Sequence, residues 1–184
     1  MNAPGRIQVQ SNPLWDFSTW AYKEPGVEKA CIALQGKYGI DVNIMLFCLW
    51  LAHIGVGSSN LARYLAGALK LSRDWQRSLV EPLRTVRDNM KDFIDNAEMV
   101  GPNRVAASEL RERVKACEQD MEHLQTLALY ALVQEPAEAR ERSPAEKKDD
   151  ANNNLTVYFS ATGVKPDPLA QAQIMRILTA VFGA

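Results

Sequence analysis

Residues 41–56 read DVNIMLFCLWLAHIGV and form the most apolar stretch of the sequence. Asp41 is a suitable N-cap, because its carboxylate can accept hydrogen bonds from the free amides of a helix's first turn. A helix over residues 42–56 is apolar on all sides and must therefore be surrounded by other elements. It is too short to cross a bilayer, which takes roughly 20 residues, and it includes Asn43 and His53. We predict that residues 42–56 form the central helix of the fold.

Helical periodicity extends in both directions from this stretch. Toward the N-terminus, Asn12 and Pro13 predict a helix start, and a second helix ends at Gly39. Toward the C-terminus, a short helix is predicted over residues 60–69, with Ser72 as the N-cap of the next helix. We predict an all-α protein, built as a compact bundle of about six to seven helices.

Two long helices are predicted beyond Ser72. Residues 73–97 place an apolar stripe about 100° wide on one side, and Pro82 within them predicts a kink. The stripe contains Trp75, Leu79, Leu83, Val86, Met90, Phe93, Ile94 and Ala97. Residues 104–134 carry an unbroken heptad pattern of Ala107, Leu110, Val114, Cys117, Met121, Leu124, Ala128 and Ala131. Only a short turn separates the two helices, so we predict an antiparallel hairpin of 73–97 with 104–134. The heptad pattern is also compatible with a homodimer.

The composition changes at residues 135–154, which hold ten charged residues, two prolines and no apolar side chain larger than alanine. Such a segment buries too little surface to offset the entropy of ordering it, so we predict a disordered linker. Residues 155–160 are rich in β-branched and aromatic residues and could be mistaken for a strand in this otherwise helical pattern. The predicted organisation is a helical domain over residues 1–134, the linker, and a segment over residues 155–184 that docks back onto the domain.

Charge and cysteine content restrict the class of protein. The 184 residues include 21 basic and 22 acidic side chains, a balance that argues against a polycation made to coat nucleic acid. Cys31, Cys48 and Cys117 are odd in number and far apart, which predicts buried free thiols and a reducing compartment. Residues 1–10 lack the apolar segment of a secretory signal. We predict a cytoplasmic protein.

Several short motifs resemble those of a known family. They are W-D-F-S at residues 15–18, P-G-V at residues 25–27 and D-V-N-x-x-L-F-C-L-W at residues 41–50, with a weaker similarity at residues 82–87. Together they resemble a family of small proteobacterial proteins that is known only as a domain of unknown function. The resemblance implies a cytoplasmic helical protein of similar length, and it brings no activity, cofactor or catalytic residue. The charged linker and the tail do not match the family.

Opposite the apolar stripe, one face of the predicted helix 73–97 carries a basic row of five residues, Arg73, Arg77, Arg84, Arg87 and Lys91. This row predicts a surface for an acidic protein partner or a phosphate-bearing partner. RNA is a less favoured partner, because the face has no aromatic residues on which bases could stack. Acidic neighbours such as Glu81, Asp88 and Asp95 are also compatible with an ordinary solvated face. The first hypothesis is a protein-interaction or regulatory adaptor module that uses the basic row.

A pocket between helices is the alternative hypothesis, for a small hydrophobic ligand or for an enzyme substrate. Its candidate lining residues are Trp15, Trp50 and His53. A cavity of about 300 Å³ or more with a few convergent polar groups would support it. The competing interpretation places the tryptophans and His53 in a close-packed core.

The sequence contains no catalytic motif. Asp120 and His123 form a single D-x-x-H pair, whereas di-iron bundles use that motif twice, and both residues are expected to face solvent. Nothing in the sequence nominates a base that would activate Cys31 as a nucleophile. Glycine-rich phosphate loops and nucleophile elbows are absent. We predict no catalytic residue, no metal ligand and no cofactor.

Overall fold

A computed structural model describes residues 10–96, 101–133 and 140–183. Within these ranges the chain is helical apart from turns and short connections, and no strand is present. The α-helices are α1 (Pro13–Lys23), α2 (Val27–Tyr38), α3 (Val42–His53), α4 (Ser58–Trp75), α5 (Glu81–Asp95), α6 (Arg104–Ala131), α7 (Pro144–Thr162) and α8 (Pro168–Phe182). A π-helical turn (Gln76–Val80) joins α4 to α5, so the described residues form seven continuous helical rods besides one short 3-10 turn. The predicted all-α bundle is confirmed.

The α3 helix lies at the centre of the bundle, as predicted. Its residues 44–52 are all buried, and it packs against α1, α4, α6 and α7. The helix ends at His53, three residues earlier than predicted, because Gly55 turns the chain with a φ of +83°. The Arg140 backbone packs so closely against Gly55 that a Cβ there would lie 2.0 Å from the Arg140 carbonyl oxygen. Only glycine fits this position.

The predicted division between helices 60–69 and 73–97 is wrong. The helical run is continuous from Ser58 to Asp95, and Ser72 lies inside it, buried, where its hydroxyl donates a hydrogen bond to the Asp41 carboxylate. The predicted distortion at Pro82 takes the form of the π-helical turn just before it. Pro82 has no N–H to donate to the carbonyl four residues earlier, and a π turn accommodates such a gap without ending the helix.

The α5 and α6 helices form the predicted antiparallel hairpin, but their inner faces are not the predicted ones. The α6 residues that are buried are Glu118, Gln125, Thr126 and Leu129. Leu110 and Cys117 of the predicted heptad pattern are exposed, as are Leu79, Val86 and Phe93 of the predicted apolar stripe. Ion pairs from Arg84 and Arg87 to Glu118 lie between the two helices, and only part of each predicted apolar row is buried.

The predicted disordered linker is wrong for residues 144–154, which form the first half of α7. Ser143 and Glu146 form a capping box, and Pro144 occupies the first turn. Asn154 is fully buried because its amide donates to the Cys48 and Val56 carbonyl oxygens at 3.1 and 3.0 Å. Residues 155–160 are helical and not extended. A polar segment is therefore ordered here by caps and by tertiary hydrogen bonds.

The C-terminal helices belong to the same hydrophobic core as α1 to α4. Leu155 and Tyr158 of α7 and Ile177 of α8 are buried in one cluster with α3, so the segment over residues 155–183 packs against the predicted helical domain. The α7 helix packs on α3, and α8 packs on α2. The predictions for residues 1–9 and for linker residues 135–139 lie outside the described residues. None of the helices in the described ranges is long and apolar enough to cross a membrane.

Candidate functional site

The structure divides the predicted basic row into two groups. Arg73, Arg77 and Lys91 are exposed, while Arg84 and Arg87 turn toward α6. Five exposed acidic side chains occupy the solvent face of the same helical run, namely Asp74, Glu81, Asp88, Asp92 and Asp95. The surface that remains therefore carries mixed charge and is not a continuous basic face.

Arg84 and Arg87 share the buried carboxylate of Glu118, which is 5% exposed. Arg84 Nε donates to Glu118 Oε1 at 2.8 Å, and Arg87 Nη1 donates to Glu118 Oε2 at 2.5 Å. Arg84 Nη2 also donates to Glu122 Oε1 at 3.1 Å. Burial raises the pKa of the Glu122 carboxyl, and the positive charge of Arg84 offsets only part of that rise. These ion pairs join α5 to α6, so the two guanidinium groups are already paired within the chain.

The three residues proposed for the alternative pocket do not come together. Trp50 is buried in the core, with its ring centroid 6.1 Å from Phe47 and 5.7 Å from Tyr130. The expectation of a core histidine is wrong for His53, which is exposed at the end of α3, with its ring 5.0 Å from Phe17. Trp15 lines a cavity whose lining includes neither Trp50 nor His53.

That cavity lies between α1, α3 and α6 and has a volume of about 470 Å³. We call it the Trp15–His123 cavity. The α1 helix contributes Trp15, Ser18 and Tyr22, the start of α3 contributes Asn43, and α6 contributes the His123 turn. Its aliphatic lining residues are Val42 and Leu46. The others are aromatic, polar or charged, and they include Thr19, Lys23, Glu28, Gln35, Asp41, Gln76, Gln119, Asp120, Glu122 and Thr126.

The indole of Trp15 and the imidazole of His123 stack face to face at one wall, with ring centroids 3.6 Å apart and planes 14° apart. Burial lowers the pKa of His123, and the negative charges of Asp120 and Asp16 only partly offset this effect. The lowered pKa favours the neutral imidazole at pH 7. A neutral imidazole offers one donor and one acceptor nitrogen. Its Nε2 atom is buried and has no hydrogen-bond partner among the described residues.

The expectation that Asp120 and His123 face solvent is wrong, since both line the cavity. The α6 helix packs against α5 on one side and against α1 on another, so it has two buried flanks. A sequence interpretation based on one apolar face finds only one such flank. In the sequence, the D-x-x-H motif was the feature that drew attention to this side of α6.

Ser18 is a second lining residue with an unsatisfied polar group. The residue is 6% exposed, and its hydroxyl has no hydrogen-bond partner in the described part of the chain. Buried hydroxyls in folded proteins are nearly always hydrogen-bonded, to protein or to a bound molecule. Ser18 belongs to the W-D-F-S motif, so that motif contributes both Trp15 and Ser18 to the lining of the cavity.

A hydrogen-bond network anchors the wall formed by the D-V-N motif. Asp41 caps α3 by accepting from the Asn43 amide at 2.7 Å, and it accepts from Gln125 Nε2 at 3.1 Å and from the Ser72 hydroxyl. Gln125 Oε1 in turn accepts from Asn43 Nδ2 at 2.8 Å and from Gln76 Nε2 at 3.0 Å. The Tyr158 hydroxyl accepts from the Asp41 backbone amide at 2.9 Å. The Asp41 carboxylate thus connects α3, α4 and α6 beside the cavity, and the Asp41 backbone connects them to α7.

The cysteines take no part in this site. Cys31 and Cys48 are buried free thiols, as predicted, and burial raises the pKa of Cys31 to about 12 and also raises that of Cys48. The expectation of a buried thiol is wrong for Cys117, which is exposed. In the described ranges no group of three histidine, cysteine or carboxylate side chains is arranged to hold a metal ion.

The fold and the cavity define an all-α protein with an open cavity between helices, lined by polar and aromatic side chains. The family model described as "Protein of unknown function (DUF2390)" matches residues 13–129. This match covers more than half of the chain, so the chain belongs to that family, and the predicted resemblance to a domain of unknown function is confirmed. All residues that line the Trp15–His123 cavity lie within the matched range. No match is found among curated proteins or among solved structures.

Proposed function

We propose that this protein binds a small polar molecule in the Trp15–His123 cavity. The observation that carries the proposal is the pair of buried polar atoms at the cavity, Ser18 Oγ and His123 Nε2, that have no partner among the described residues. Leaving such an atom unsatisfied costs roughly 1–3 kcal/mol each. A ligand that hydrogen-bonds to both atoms would recover that free energy on binding.

The size and lining of the cavity support the same proposal. A volume of about 470 Å³ lies in the range of sites for small molecules, roughly 300–1,000 Å³. Most of the lining side chains are polar or charged, beside Trp15, Val42 and Leu46, so we expect a ligand that carries polar groups and not the purely hydrophobic ligand of the sequence-based alternative. The flat stack of Trp15 on His123 offers one aromatic wall for a planar group. Since the sequence supplies no catalytic motif, binding and not catalysis is the proposed role.

We expect Ser18→Ala to stabilise the empty protein and to weaken ligand binding. Removing a buried hydroxyl without a partner removes its desolvation cost, so the free energy of unfolding rises by about 1 kcal/mol relative to a matched control. Ser160→Ala is that control, because Ser160 is an exposed helical serine and reports the helix propensity of alanine alone. Urea denaturation followed by circular dichroism measures both values. A loss of stability in Ser18→Ala would contradict the proposal.

The ligand itself is sought by native mass spectrometry. Wild-type protein is incubated with a low-mass cell extract and desalted, beside Ser160→Ala, Ser18→Ala and Gln119→Trp, the last of which places an indole at the exposed rim of the cavity. A molecule retained by the wild type and by Ser160→Ala, and lost from the other two variants, supports the proposal. Equal retention by all four proteins, or retention by none, contradicts it.

A second candidate function is self-association through the outer face of α5. Leu79, Val86 and Phe93 are 38%, 48% and 50% exposed and lie seven residues apart, on one side of the helical run. The exposed residues beside them carry no charge, namely Ser78, Pro82, Thr85 and Asn89. Uncharged apolar patches of this kind are typical of protein interfaces. We propose a second copy of this chain as the partner. The row is symmetric about Val86, so an antiparallel copy places apolar residues opposite apolar residues along its length.

We expect the double variant Val86→Asp with Phe93→Asp to abolish this association. Both side chains are about half exposed, so the substitutions change the melting temperature by no more than a few degrees while they place charges in the contact. Sedimentation velocity at increasing protein concentration measures the association. Val105→Asp, in an exposed position at the start of α6, is the control and is expected to associate like the wild type. A wild type that stays monomeric at roughly millimolar concentration contradicts the proposal.

The first sequence-based hypothesis, an adaptor for an acidic or phosphate-bearing partner, keeps Arg73, Arg77 and Lys91 as its available residues. The five acidic side chains on the same solvent face reduce the attraction for such partners and for RNA. We rank this role below the other two. We also propose a cytoplasmic location, which the free thiols Cys31 and Cys48 support.

A further inference from the structure

The charges around the Trp15–His123 cavity are unequal. Glu28, Asp41, Asp120 and Glu122 line it, against the single basic residue Lys23 and the neutral imidazole of His123. Asp41 is occupied by the hydrogen-bond network of the α3 N-cap, and Glu122 is paired with Arg84. Glu28 and Asp120 are the lining carboxylates outside these two networks, and they belong to α2 and α6 respectively. Two carboxylates therefore remain for an interaction with a ligand.

Tyr22 lies at the same wall, and its phenol interacts with two of these carboxylates. Burial raises the pKa of Tyr22 to about 12, and the negative charges of Glu28 and Glu122 contribute to the rise. These two carboxylates disfavour a new negative charge next to Tyr22 and favour a positive one. An anionic ligand would find Lys23 as the single basic residue in the lining.

We propose that the cavity selects a small organic cation, a primary amine or a guanidinium compound, whose charged group is bound by the Glu28 and Asp120 carboxylates. The uncharged remainder of the ligand hydrogen-bonds to the buried Ser18 hydroxyl and His123 Nε2 and lies against Trp15. This inference rests on the proposed ligand-binding function and adds the chemical class of the ligand. These five residues belong to α1, α2 and α6, so they line one cavity only in the folded chain.

Matched compounds that differ only in charge test the inference. Each series contains an amine, an alcohol and a carboxylate on one skeleton: benzylamine with benzyl alcohol and benzoate, butylamine with butanol and butyrate, and tyramine with tyrosol and 4-hydroxyphenylacetate. Two-dimensional NMR of the ¹⁵N-labelled full chain follows the Ser18 and His123 resonances during each titration. We expect the amine of at least one series to bind at least tenfold more tightly than its alcohol, and the carboxylate to bind most weakly.

The variant Glu28→Gln with Asp120→Asn assigns the effect to the two carboxylates. It is expected to weaken amine binding at least tenfold and to change alcohol binding less than threefold. The control is Glu109→Gln with Glu112→Gln, which removes two exposed charges of α6 that do not line the cavity and leaves amine binding within threefold. High salt is expected to weaken binding of the amine to the wild type and to leave binding of the alcohol unchanged.

The outcomes separate the charge preference from the proposed function. If an alcohol or a carboxylate binds at Ser18 and His123 as tightly as its amine, the cationic class is wrong while the binding function stands. If no compound shifts these resonances, the cationic class is also overturned, and the extract experiment then decides the binding function independently. Unchanged amine binding in the Glu28→Gln, Asp120→Asn variant would show that other groups select the ligand.

Discussion

Asp41→Ala is expected to lower the free energy of unfolding by at least about 3 kcal/mol, the largest effect of any single substitution at the cavity wall. Loss of the α3 N-cap contributes about 1–2 kcal/mol. The Gln125 amide and the Ser72 hydroxyl, both buried, then lose their acceptor, at a cost of roughly 1–3 kcal/mol each. Because α3 is the centre of the core, the loss is not confined to one helix end.

Urea denaturation of the full chain measures this effect, with Asp41→Asn as the matched control. Asparagine keeps the size and one acceptor oxygen for the cap, so we expect about half the loss seen for Asp41→Ala. Glu109→Ala removes an exposed carboxylate and is expected to change stability by less than about 0.5 kcal/mol. An Asp41→Ala protein within about 1 kcal/mol of the wild type would mean that the network contributes little beyond what water provides.

Glu118→Ala is the second large effect, at roughly 2–4 kcal/mol of lost stability. The substitution leaves Arg84 and Arg87 without the buried carboxylate that they share. Removing one partner of a fully buried ion pair costs roughly 3–5 kcal/mol. The side chains of Arg84 and Arg87 are 32% and 22% exposed, so water can partly solvate them and the expected cost is lower. The α5–α6 hairpin is the part of the fold that loses its contact.

A set of three variants distinguishes the charge effect from a general loss of packing. Glu122→Gln is expected to cost less than Glu118→Ala, because Glu122 is more exposed and Arg84 keeps Glu118. Replacing Arg84, Arg87 and Glu118 together by leucine is expected to recover most of the stability lost in Glu118→Ala, since the charges of this cluster are removed together and Glu122, which loses its Arg84 partner, has 35% of its side chain exposed. Hydrogen exchange of α5 amides locates the effect. Equal exchange rates in wild type and Glu118→Ala would contradict the assignment.

The apolar stretch of residues 41–56 was sufficient to predict the centre of the fold, because a helix that is apolar on all sides has one stable environment. The N-caps at Asn12 and Asp41 and the turn at Gly39 were also readable, since they depend on contacts within a few residues of the chain. The motifs at residues 15–18 and 41–50 identified the correct family and contain residues that line the cavity.

The candidate site was not readable in the same way. Trp15 was selected by residue type and was found at the cavity, whereas Trp50 and His53, selected on the same grounds, were not. Ser18 carries no sequence signal, because its importance comes from a hydroxyl without a partner in the folded chain. Asp120 and His123 were assigned to solvent because periodicity indicated only one buried side of α6. The helix also packs against α1, and that second contact is visible only in the structure.

Local chemistry decided the helices, their caps and the apolar centre, because these depend on side chains within one or two turns of each other. The tertiary structure alone decided which charges are free and which are paired. Arg84, Arg87 and Lys91 look equivalent in the sequence. In the structure, however, Arg84 and Arg87 form ion pairs with Glu118, which is more than 30 residues away in the chain. It also ordered the polar segment 144–154, through hydrogen bonds from Asn154 to α3 and the turn after it. Long-range polar contacts have no periodicity, so only the folded chain reveals them.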